Sequence, residues 1–260
     1  MHSPDRFVAE RPQTDASSVS AQPQASAEAD AELRLEADDE SELWTVLAPT
    51  ALTLLLVAAR VYRTHQVSFA FLGWNLFLAW LPYGLSRVLD AMERRGVSTW
   101  TLFWVGVPWL LVLPNAPYVV TDLVHLKERP PVPLWYDTAM LFCAGWTGCA
   151  LGFQALRKVQ GVVERRVSTR WSWAFALTTL GLCAIGMQFG RFERFNSWDV
   201  VSDPLALLEG ALRPFLHPLS QPGAWEFTFV FAALLLTTYP AFARRREPHH
   251  PLNNRASRWR

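Results

Sequence analysis

Asp122 and His125 are the first pair of residues in this 260-residue chain whose spacing could do chemistry. On a helical turn, positions i and i+3 share a face, so a carboxylate and an imidazole would stand side by side. Such a pair offers two ligands to a divalent metal, with Asp137 or Asp199 as a third. It also offers proton transfer, because histidine titrates near neutral pH. The plainer alternative is a hydrogen-bonded Asp–His pair that fixes its own segment. Asp122, His125 and Asp199 are the candidate catalytic residues, and Asp122 and His125 the candidate metal ligands. The sequence carries no HExxH motif, no phosphate-cradling GxxxxGK[ST] loop and no nucleophile elbow, so no cofactor is assigned and the question of catalysis stays open.

A second polar group lies in the run from Gly190 to Asp199, GRFERFNSWD. Arginine forks grip phosphate or carboxylate well, which makes Arg191 and Arg194 candidate binding residues. Pairing with Glu193, Asp199 or Asp122 is the favoured alternative, since charges near a membrane need partners. Asn196 fits a helix cap with Asp199 reaching back from the third position. Asp203 and Pro204 then open a short interfacial helix through Leu212. Upstream, Pro108, Pro114 and Pro117 lack backbone donors and push the residues before them away from helical geometry. The chain should kink or end near Pro114, with Asn115 capping freed backbone. Asn115, Tyr118, Asp137, Arg191, Glu193, Arg194 and Asn196 form the candidate substrate-binding set.

The elements that must position these residues are apolar. Hydrophobic residues make up 51% of the chain and charged ones only 18%, and the charges avoid six long windows. These are residues 43–59, 67–86, 99–120, 134–156, 171–190 and 224–243, with Asp137 and Glu226 near the starts of the fourth and sixth. A charge at a bilayer centre costs about 2.5–3.5 kcal/mol on insertion scales, so such windows point to membrane crossing. The expected fold is an all-α polytopic transmembrane bundle of about six spans, with lipid as its principal partner. Trp44, Trp100, Trp135, Trp171, Trp173 and Trp225 fall near window ends, where an aromatic belt belongs.

Residues 1–41 hold few large apolar side chains and turn acidic from Glu28, so a disordered tail is expected there. The membrane domain is residues 42–243, and residues 244–260 form a basic tail. Lys and Arg number 17 on the side of the two tails and 7 on the other, which places both termini in the cytoplasm. Only two basic residues are lysine, a bias that suggests a GC-rich bacterial genome and hence a bacterial inner membrane. Net charge is +1, which argues against nucleic-acid binding by bulk electrostatics. Cys143, Cys149 and Cys183 lie inside apolar windows without metal or disulfide spacing, and read as buried small hydrophobes.

The PNAPYVVTDLVHL run, the following Trp135-Tyr136-Asp137 and the GRFERFNSWD run resemble a family of bacterial multi-pass membrane proteins, domain of unknown function 1361. The resemblance spans residues 43–243. It implies an integral membrane protein and supplies no catalytic residues. Three function classes follow. The leading reading is a membrane protein of undefined, non-catalytic activity with a polar Asp/His/Arg cluster on its non-cytoplasmic face, which includes a binding or assembly module whose outer loops contact a partner. A membrane-embedded, metal-dependent enzyme acting on a lipid or lipid-linked substrate comes second. A small-solute transporter comes third, because polar residues within the spans are sparse: Asn75, Thr147, Gln154, Thr178 and Gln188.

Overall fold

The computed structural model describes residues 16–193 and 222–243, with single positions 202, 205 and 209 between them, and side chains from Glu40 onward. The chain divides into two units, Met1–Thr45 and Val46–Arg260. Every named element is helical: α1 (Ala16–Thr64), α2 (Phe71–Arg94), α3 (Thr99–Val112), α4 (Asn115–Tyr118), a 3-10 helix (Val119–His125), α5 (Leu134–Arg166), α6 (Thr169–Gln188), a π-helical turn (Phe189–Glu193) and α7 (Pro222–Ala243). Among the described residues the only β feature is an isolated bridge between Arg129 and Val132. Helical backbone thus starts at Ala16, upstream of the first apolar window, and the membrane-length part of α1 is Glu40–Thr64.

Five segments are long and apolar enough to cross a membrane: Glu40–Thr64, Thr99–His125, Leu134–Arg166, Thr169–Phe192 and Pro222–Ala243. The sixth long helix, α2, has 24 residues, about 36 Å at 1.5 Å per residue, so its length suffices. Its hydropathy is diluted by Trp74, Asn75, Trp80, Pro82 and Tyr83. Helix α5 is the centre of the bundle. In its apolar window 72% of residues are buried, against 17% in α7, and it packs on α2, α4, the 3-10 helix and α6. The outer helices instead expose Leu55, Phe77, Phe103, Trp104 and Phe229, among others. That much apolar surface is stable only against lipid or a partner. Trp44, Trp100, Trp135 and Trp171 are each more than 60% exposed near the ends of the membrane-length segments, as an aromatic belt requires.

Sequence chemistry explains the helix ends. Gly96, at φ +74°, closes α2: its N–H reaches Glu93 O at 2.9 Å and Val97 N–H reaches Met92 O at 3.1 Å, a left-handed cap that glycine adopts without strain. Ser98 then caps α3 by accepting from the Thr101 N–H at 3.2 Å. Helix α3 stops at Val112, two residues before Pro114, where the prolines predict a break.

Two ends of the bundle follow from the element order. One carries the connections between α2 and α3 and between α5 and α6. The other carries residues 65–70, residues 113–133 and the π-helical turn, and is termed the motif end below. The short interfacial helix expected after Asp203 lies outside the described residues, apart from positions 205 and 209.

Candidate functional site

The PNAPYVV stretch is seated by glycines. Four glycines on α5 and α6 lie close against residues 114–120, two of them, Gly148 and Gly186, with no room for a Cβ. A Cβ on Gly148 would lie 2.3 Å from Ala116 O, one on Gly145 3.1 Å from Val120 Cα, and one on Gly152 3.2 Å from Pro117 Cδ. On α6, a Cβ on Gly186 would meet Pro114 Cγ at 2.6 Å. Small residues let helical backbones approach closely in a bilayer, where packing drives association. The bent segment is therefore docked on α5 rather than looped out.

That docking aims the 3-10 helix. Residues three apart eclipse one another on a 3-10 turn, so Asp122 and His125 share a face. Their environments differ. Asp122 is 2% exposed, and Asn75 of α2 donates to its Oδ2 from Nδ2 at 2.8 Å. His125 is half-buried, its ring meeting Phe71 edge-on with centroids 5.2 Å apart. Arg191 lies close enough for its charge to act on both. Among the described residues no ion pair joins it to either. Lys127 and Arg129 also reach His125 electrostatically.

Asp137 is engaged elsewhere. It is 1% exposed, and Arg60 of α1 grips it with both prongs, Nε to Oδ1 at 2.7 Å and Nη2 to Oδ2 at 3.1 Å. Next to it, the Tyr136 hydroxyl donates to Leu56 O at 2.8 Å. The run after Gly190 begins as helix rather than as a free loop. Helix α6 continues through the π-helical turn, so Arg191 is carried on a helical extension. Such turns occur often at functional sites. Asn115 and Tyr118 are half-buried on α4, beside the docked prolines. The side chain of Glu193 and the whole of Arg194, Asn196 and Asp199 lie outside the described residues.

Among the described residues no three His, Cys, Asp or Glu side chains are grouped to hold a metal. Asn75 serves Asp122, Thr147 donates to Cys143 O of its own helix, Gln188 accepts from Thr228, and Thr178 faces outward. Sequence reasoning missed Arg60 and Asn75 as partners. Arg60 counted only as a loop charge, yet it falls within the last turns of α1, where a buried arginine implies a carboxylate nearby.

A family model described as "Protein of unknown function (DUF1361)" matches residues 74–238. No curated protein and no solved structure matches the chain.

Proposed function

The chain belongs to that family, and from this premise we propose that it is an integral membrane binding protein whose working surface is the motif end of the bundle. Asp122, His125 and Arg191 contact the ligand there. The observation that carries this reading is the contrast within one 3-10 turn: Asp122 is buried and anchored by Asn75, while His125 remains accessible beside the charge of Arg191. Ionisable groups at membrane depth are costly and mark sites by default. The excess of Lys and Arg on the opposite side, 17 against 7, supports a non-cytoplasmic motif end with both termini cytoplasmic. A bacterial inner membrane is the setting proposed.

The test is a set of substitutions, Asp122→Asn, His125→Ala and Arg191→Gln, read for protein level and for the phenotype of a null strain. Normal abundance with the null phenotype supports the site. Loss of abundance alone reduces the cluster to scaffold. Compartment tags near residues 66 and 128 should report one side and tags near 96 and 168 the other.

A second reading, an enzyme acting on lipid or a lipid-linked substrate, is favoured by one feature. A buried carboxylate beside an accessible imidazole suits acid–base work. A stoichiometric divalent ion in purified protein, lost in Asp122→Asn, would select this reading over simple binding.

A further inference from the structure

Arg60 does not spend its whole guanidinium on Asp137. The planar group has five N–H donors. Bidentate pairing through Nε and Nη2 turns Nη1 away from the carboxylate. Nη1 is buried and has no hydrogen-bond partner, in a side chain only 2% exposed. Arg129, held by its bridge to Val132, repeats the pattern, with a buried Nη1 that also has no partner. No carboxylate among the described residues forms an ion pair with Arg129; Asp137 is taken by Arg60, Asp122 is bonded to Asn75, and Glu128 is exposed.

Both forks rest on one ring. The Arg60 Cζ lies 4.4 Å from the Phe69 centroid and the Arg129 Cζ lies 4.8 Å from it. A ring face attracts a cation but satisfies none of its directional N–H donors. Phe69 is fully buried, whereas its neighbours Val67, Ser68 and Ala70 are exposed, so the connection carrying the ring is otherwise free of the core. Trp135, 69% exposed two residues before Asp137, marks the headgroup level of a bilayer.

We propose that Arg60 and Arg129 form a phosphate-binding site that the Phe69 ring plugs when the site is empty. The unpartnered Nη1 of Arg60 and the guanidinium of Arg129 leave N–H donors for a tetrahedral oxyanion, and the ring holds their place until a phosphate displaces it. The phosphate comes either from a lipid headgroup or from free anion. The site shares no residue with the Asp122 cluster, although the charge of Arg129 reaches His125.

The test uses the full chain. Inorganic phosphate is titrated into protein in neutral detergent, and separately the chain is placed in nanodiscs of phosphatidylcholine with or without phosphatidic acid. Thermal unfolding and retained lipid are read. Saturable binding of either probe is expected, weakened about tenfold or more by Arg129→Gln and strengthened by Phe69→Ala, while Arg94→Gln at the other end leaves it unchanged. Should Arg129→Gln not fold, Arg129→Lys keeps the charge, loses the fork and weakens binding several-fold. Binding of phosphatidic acid alone identifies a headgroup, and binding of inorganic phosphate identifies a free anion. The proposal fails if neither probe saturates, if Arg94→Gln weakens binding as much as Arg129→Gln, or if Phe69→Ala binds no tighter than the parent.

Discussion

The two ends of this bundle use the same arginine–carboxylate chemistry in opposite surroundings. At the end away from the motifs, Arg165 of α5 bridges Asp90 at 2.6 Å and Glu93 at 2.7 Å on α2, and Arg166 reaches Val97 O and Thr99. Arg165 is 42% exposed, so water and salt screen the latch. At the motif end, Arg60–Asp137 is shut away from solvent, and Asp122 is buried beside a half-buried Asn75. Exposed pairs contribute little, and buried ones contribute little net but cost much to break. The first end is a solvated fastening between helices. The second retains polar groups where a purely structural core would carry apolar ones.

Five single substitutions and one double can break or sharpen this contrast, each read by unfolding of detergent-purified protein. Asp137→Ala strands a buried guanidinium and should destabilise by about 3–5 kcal/mol, while Arg60→Met with Asp137→Leu should recover most of the loss. Asn75→Ala removes a hydrogen bond to a charged group and should cost about 1.5–3 kcal/mol. Gly148→Ala, whose new Cβ would collide with Ala116 O, should cost about 1–3 kcal/mol. Gly181→Ala has open space around it and should be neutral or slightly stabilising. Arg165→Gln should cost under about 1 kcal/mol, with the difference shrinking at high salt. Equal losses at Asp137 and Arg165 would erase the distinction between the two ends.

Most of the fold was legible because lipid imposes a one-dimensional rule. Long uncharged windows mark spans, and the break at Pro114 follows from proline's missing donor. Helix ends were less legible. The second and fourth windows close at residues 86 and 156, where charges begin, yet α2 runs to Arg94 and α5 to Arg166. Hydropathy ends at the membrane, whereas helical hydrogen bonding continues until Gly96 or Val167 interrupts it. The site was legible only in part. Asp122 and His125 stand out by local spacing, but Arg60 meets Asp137 across 77 residues and Asn75 meets Asp122 across 47. Such pairings depend on which helices become neighbours, and no local spacing encodes that. The glycines at 145, 148 and 152 did carry a readable small-residue pattern on one helix, and it was overlooked.

The glycine seat also orders events during synthesis. Residues 113–125 leave the ribosome before the surface they rest on exists, since Gly145, Gly148 and Gly152 follow by some twenty or more positions and Gly186 comes later still. The bent segment must wait at the edge of the growing bundle until α5 arrives, and the Pro114 contact closes only when α6 has been threaded. Asp122 is therefore held in its final place late in biogenesis, after most of the chain has been inserted.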